Sequence, residues 1–261
     1  MAQRTGTALI TGASSGIGRE LARIHAEKGG DLVLVARRAD RLEEVKRELE
    51  SKHGVSVTVL AEDLTDEAAP QRIHDRVKAE GVEISYLMNN AGFGGRGRFD
   101  QRDWADDRAM IQVNVVALAA LSRLFLPDFV AQGSGRILNT SSTAALVPGP
   151  LQAVYYATKA YVTSFSYALA DELKDTGVTV TALMPGPTET EFAKTADMDR
   201  TSLFKSAFSA RQVAEHGYAA MMRGALDVVS GVKLGQRVAL RLAPMLPKRP
   251  LMRAIRRTQT V

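Results

Sequence analysis

The chain has 261 residues, with 34 Lys or Arg against 29 Asp or Glu, a net charge of +5 and no cysteine. The missing thiols exclude disulfides, thiolate metal sites and cysteine nucleophiles, and the histidines at 25, 53, 74 and 216 lack ligand spacing. No stretch approaches 18 consecutive apolar residues and no signal-peptide pattern opens the chain, so a soluble, cytoplasmic protein without metal is expected.

The first element is an apolar run over 7–10, read as a short buried strand. Thr11-Gly12-Ala13-Ser14-Ser15-Gly16-Ile17-Gly18 follows it, and residues 17, 21, 24 and 26 continue with helical spacing. A strand, a glycine-rich turn and a helix in that order make an anion site. The turn lets backbone N–H groups approach a pyrophosphate, and the helix N-terminus adds partial positive charge. The spacing is GxxxGxG, a loose match to the general dinucleotide fingerprint GxGxxG.

Further strands are expected at 32–36, 55–60, 84–88, 136–140 and 178–183, with helices near 39–52, 66–80, 101–131 and 155–175. Such alternation predicts right-handed crossovers and a parallel sheet covered on both faces. Ligands in such sheets bind beyond the carboxyl ends of the strands, so the loops there should converge on one cleft. After the second strand, Arg37 and Arg38 stand where a carboxylate would otherwise bind a ribose 2′-hydroxyl. Guanidinium groups favour a 2′-phosphate, with Arg37 the stronger candidate, Arg41 a weaker third and Ser14 a further contact.

Tyr155 and Lys159 are four residues apart, which in a helix puts phenol and ammonium on one face. A nearby positive charge favours the phenolate and would bring the phenol closer to a working pKa. Beyond them, Phe192, Met198, Leu203, Phe204 and Phe208 suggest an apolar lid over 188–215, and 93–98 a rim of the cleft. The last strand is placed at 226–230. Residues 232–261 carry eight Lys or Arg and no acid, so +5 overall leaves −3 on the body. Their apolar positions 234, 238 and 242 predict an amphipathic basic helix, and a shorter one follows. Packing of this tail on the body or a subunit neighbour is preferred over attachment to anionic lipid.

These features resemble the short-chain dehydrogenase/reductase family over roughly residues 5–190. The motif residues are TGASSGIG at 11–18, Asn89-Asn90-Ala91-Gly92, Asn114, Ser142 thirteen residues before Tyr155, and Pro185-Gly186 with Thr188 and Thr190. The resemblance implies a single Rossmann-type, doubly wound α/β domain, here over 1–231; the C-terminal extension over 232–261 departs from the family's common form. It implies an NADP-dependent oxidoreductase that moves hydride between NADP(H) and a carbonyl or secondary alcohol, with a fairly hydrophobic small molecule as substrate. Gly12, Ser14, Ser15, Gly16, Ile17, Gly18, Arg37, Arg38, Asp63, Leu64, Asn90, Ala91, Gly92, Pro185, Gly186, Thr188 and Thr190 would hold the cofactor. Asp63 would accept from the adenine amino group. Tyr155 would donate the proton, Ser142 would bind the carbonyl oxygen, and Lys159 would bind the nicotinamide ribose and lower the Tyr155 pKa. Asn114 would hold a water that relays the proton. A homodimer or homotetramer follows from the same resemblance. The alternatives are a regulatory or membrane-surface protein that binds NADP without turnover.

Overall fold

The computed structural model describes residues 5–198, 201, 207–232 and 234–259. Seven parallel strands form one sheet in the order β3-β2-β1-β4-β5-β6-β9. They are β1 (Thr7–Thr11), β2 (Leu32–Ala36), β3 (Val57–Ala61), β4 (Ile84–Asn89), β5 (Gly135–Thr140), β6 (Val178–Pro185) and β9 (Asp227–Ser230). Two short strands, β7 (Thr188–Glu189) and β8 (Phe208–Ser209), pair with each other beyond the sheet. The chain winds outward from β1 in both directions, so the strand order reverses between β1 and β4 and opens a crevice at their carboxyl ends.

Alternation along the strands divides the core into two layers. Ala8, Ile10, Leu32 and Leu34 pack against α1 (Gly16–Glu27), α2 (Ala39–His53) and α8 (Ala210–Met222) through Leu21, Leu42, Leu49 and Met221. Leu9, Val33, Val35 and Leu87 face the opposite layer of α3 (Ala69–Ala79), α5 (Leu118–Gln132) and α6 (Ala153–Glu172). Phe125 and Phe129 are almost wholly buried there, and cutting either to alanine would cost about 3–5 kcal/mol.

The predicted elements differ from the observed ones at their ends. The third strand starts at Val57, the third helix at Ala69, and the sixth runs Ala153–Glu172. The helix expected over 101–131 comprises α4 (Trp104–Ile111), a π-helical stretch Gln112–Ala117 and α5. The whole segment Trp104–Gln132 is long and apolar enough to cross a membrane by length and composition, although it holds no run of 18 consecutive apolar residues. Half of its most apolar window is buried in this fold, where Leu121, Phe125 and Phe129 cover the sheet. The tail forms α9 (Leu234–Leu242) and α10 (Lys248–Gln259), the second longer than the sequence suggested.

His25, unassigned from sequence, is a buried structural imidazole on α1. Its Nε2–H donates to the Gly6 carbonyl at 2.8 Å, leaving Nδ1 to accept from the Tyr218 hydroxyl at 3.1 Å. Burial drives its pKa down to about 4, so it is neutral in the folded state.

Candidate active site

β1 ends where the glycine turn begins. Gly12 has φ 68°, and a Cβ there would come within 3.0 Å of the Ala91 backbone. Gly16 has φ 54° and faces the Thr190 methyl, which a Cβ would meet at 2.8 Å. Only glycine satisfies both conditions without strain. Ser15 caps α1 with its backbone but makes no side-chain cap bond, so the first N–H groups of the helix stay available to an anion.

The site already draws one anion from the protein. The Glu191 carboxylate accepts from Arg38 at 2.7 and 3.3 Å, and Arg38 also donates to Ser14 at 3.2 Å. Arg38 first, and the Ser15 hydroxyl among lesser causes, hold this carboxyl below its usual range. The Glu191 carboxylate is thus held by Arg38 and the Ser15 hydroxyl at the helix N-terminus, with Ser14 accepting from the same guanidinium. Arg37, favoured from sequence, is exposed beside it, whereas Arg38 is engaged with Glu191.

The adjoining Asn89–Gly92 segment is tied to β1 by Thr11. The Thr11 hydroxyl accepts from the N–H groups of Asn90 and Ala91 at 3.0 Å each, and Asn90 Nδ2 donates to the Thr11 carbonyl. Beneath them, Asn89 donates to Asn139 and Ser122, and Asn139 donates to Ser166 on α6. This buried polar chain locks β4, β5 and α6 together. Leu64 is buried, whereas Asp63 is exposed and accepts from the Thr65 N–H at 3.0 Å, closing its own turn.

Tyr155 and Lys159 lie on one face of α6 and are both buried. Lys159 Nζ sits 5.9 Å from the Tyr155 ring centroid and donates to the Thr140 carbonyl at 2.8 Å. Burial pushes the phenol well above its usual range, and a hydrogen bond with Ser142 partly offsets this. Burial also lowers the Lys159 ammonium to about 8. The expected depression of the Tyr155 pKa by Lys159 is therefore not what this geometry produces. Desolvation dominates, and the lysine spends its hydrogen bond on Thr140.

Ser142, in extended backbone after β5, accepts from the Ala144 N–H and donates to the Pro185 carbonyl at 3.4 Å. Asn114 sits in the π-helical stretch, a distortion frequent at functional sites. Its amide accepts from the Phe93 N–H at 3.1 Å and donates to the Phe93 carbonyl at 2.9 Å and the Thr158 hydroxyl at 3.1 Å. A Cβ on Gly92 would come within 2.9 Å of Asn114 Oδ1 and 3.3 Å of Lys159 Nζ, so these groups share one pocket.

Gly186 donates to the Ser230 carbonyl, anchoring the turn after β6 to β9. Thr188 donates to the Gly186 carbonyl, and Thr190 lies over Gly16, so this loop closes on the glycine turn. Phe192 packs on Tyr155 with ring centroids 5.3 Å apart. Met198 is buried, and Phe208 belongs to the core layer of α1 and α8. Leu203 and Phe204 lie outside the described residues. Sequence reasoning missed Thr11, Thr140 and Glu191. Thr11 had a signal, its place between strand and glycine turn, whereas Thr140 acts through a carbonyl and Glu191 across 153 positions.

Comparison with known proteins matches residues 6–201 to the short chain dehydrogenase family. The chain is similar to sulfoacetaldehyde reductase 2 of Chromohalobacter salexigens, 40% identical over 70% of this chain and 73% of that one. It is also similar to the very-long-chain 3-oxoacyl-CoA reductase of Bos taurus, 34% identical over 72% of this chain and 61% of that one. Among solved structures, a short-chain dehydrogenase from Sphingobium yanoikuyae in complex with NADPH superposes with a TM-score of 0.84. It is 34% identical, and 98% of each chain is covered.

Proposed function

The chain belongs to the short-chain dehydrogenase family, and from that premise we propose an NADP(H)-dependent oxidoreductase acting on a fairly hydrophobic ketone or secondary alcohol. The observation that carries the reading is the cluster of Ser142 with buried Tyr155 and Lys159, beside a glycine turn at which Arg38 and the Ser15 hydroxyl already hold a carboxylate. The NADPH complex of the 34%-identical relative supports the cofactor choice.

When bound, the reduced cofactor supplies the hydride for the carbonyl carbon. Tyr155 is protonated at neutral pH and in reduction donates its proton to the substrate oxygen; burial raises its pKa, so the donation depends on groups that favour the phenolate as the proton leaves. Ser142 supplies a second hydrogen bond to that oxygen as charge develops on it. Lys159, protonated below about pH 8, favours the phenolate as the proton leaves and would hold the ribose hydroxyls. Asn114 positions the Phe93 backbone and Thr158 beside them. Gly12, Gly16 and Gly18 would receive the pyrophosphate, Arg37 and Arg38 the 2′-phosphate. Phe93 and Phe192 pack around Tyr155 and support an apolar substrate.

The test is NADPH absorbance during incubation with a panel of ketones and aldehydes, with NADH in parallel. Oxidation of NADPH by at least one apolar ketone is expected. Binding of NADPH with no turnover across the panel would instead favour a regulatory protein.

The same reading extends to assembly and place. Exposed Val116, Val130 and Tyr161 on the helices from 112 to 172 support a homodimer or homotetramer, which sedimentation measures. A cytoplasmic location goes with it, tested by fractionation. A second reading, contact with anionic membrane, rests on exposed Val238, Leu242, Met245 and Leu246 beside Lys248 and Arg249. Salt-sensitive sedimentation with anionic vesicles would support it.

A further inference from the structure

The helix α10 ends beside the candidate catalytic tyrosine. Gln259, on the last turn of α10, has no exposed surface, and its Nε2 donates to the Tyr156 hydroxyl at 2.8 Å. Tyr156 adjoins Tyr155, with ring centroids 6.0 Å apart in an edge-on arrangement. Arg96 ties two other parts of the chain to its own segment around this point. It donates to the Asp197 carbonyl at 2.8 Å, to the Asp197 carboxylate at 2.6 Å and to the Gln259 carbonyl at 3.5 Å. The rim at 93–98, the lid residues after Phe192 and the end of α10 therefore meet in one belt. Inside that belt Phe192 and Tyr155 touch, and a Cβ on Gly94 would meet Phe192 at 2.8 Å and Tyr155 at 3.3 Å.

Gln259 is an unusual choice for simple packing. A basic helix that only covered apolar surface would end on an apolar side chain, yet here a primary amide is enclosed. One end is satisfied by Tyr156, and Oε1 is buried without a partner among the described residues. An unpaired buried acceptor is costly, so this contact opposes the docking of α10 as well as orienting it.

We propose that Gln259 is a positioning residue for the substrate side of the site. It orients Tyr156, closes the wall next to Tyr155, and so limits the bulk of the ketone that reaches the catalytic phenol. This rests on the oxidoreductase reading above. The tail acts on substrate selection and not on the cofactor, because none of its described contacts reaches the glycine turn, Arg37 or Arg38.

The test uses the full-length chain with Gln259→Leu, Tyr156→Phe and the double variant, assayed with NADPH and ketones of increasing bulk. Gln259→Leu should raise KM for a compact ketone about 10-fold with kcat changed less than about 3-fold. Its ratio of kcat/KM for bulky over compact ketones should rise at least 5-fold. NADPH affinity should stay within 2-fold. The double variant should resemble the worse single one, because both remove the same hydrogen bond. Wild-type KM values and ranking in Gln259→Leu, or a loss of NADPH affinity equal to the loss in kcat/KM, would overturn it while leaving the oxidoreductase reading intact. Absence of wild-type turnover would overturn both.

Discussion

The cofactor side and the substrate side of the cleft are built from different material. Between β1 and β4 the cleft is mostly backbone: Gly12 and Gly16 at positive φ, the open N-terminus of α1, and two N–H groups on the Thr11 hydroxyl. On the other side, side chains close it from far along the chain. Arg96 reaches Asp197 across 101 positions, and Gln259 reaches Tyr156 across 103. A wall of backbone tolerates little variation, because each atom is placed by the strands. A wall of side chains is re-shaped by single substitutions without moving the sheet. One side can therefore keep a cofactor while the other changes substrate.

The proposed catalytic residues sit where the two sides join, and breaking them should give the largest effect. Tyr155→Phe should lower turnover by about 10³-fold or more, since general acid catalysis contributes about 10²–10⁴-fold. NADPH titration should stay near the wild-type value. Lys159→Ala should damage both turnover and cofactor affinity. Wild-type turnover in Tyr155→Phe would remove the phenol from the mechanism.

Acid should weaken the scaffold beneath the cofactor side. His25 has a folded pKa of about 4 against 6.5 unfolded, so the unfolded chain binds more protons between those values. Stability is then lost as pH falls through that window, by about 3 kcal/mol in all. Urea unfolding at pH 7 and at steps down to pH 4 measures this. His25→Phe should flatten that part of the curve, and an unchanged slope would mean the imidazole is not its source.

The phosphate contacts sharpen the comparison next. Arg37→Ala should weaken NADPH binding by about 10- to 100-fold, since a hydrogen bond to a charged group is worth about 1.5–3 kcal/mol. NADH should change little, and equal losses for both cofactors would show that Arg37 reads something else. Glu191→Gln should tighten NADPH a few-fold by releasing Arg38, measured in the same titration. On the substrate side, Tyr156→Phe removes one neutral hydrogen bond and should change kcat/KM by no more than about 10-fold, as Gln259→Leu does by breaking the same bond.

The sequence alone was enough for the sheet and for most of the cleft. Periodicity set the strands and their two-sided burial, and the glycines, the Tyr155–Lys159 spacing and Asn90 to Gly92 are local patterns that a fold must honour. Element ends were misjudged by a few residues, because caps and the π-helical turn at Asn114 depend on neighbours from other elements. Tertiary structure alone decided that Arg38 and not Arg37 is engaged with Glu191, that burial raises the phenol, and that α10 brings Gln259 to Tyr156. Each of these is an interaction between groups far apart in the chain, and desolvation in particular belongs to no single residue. It exists only once the surrounding layers have excluded water.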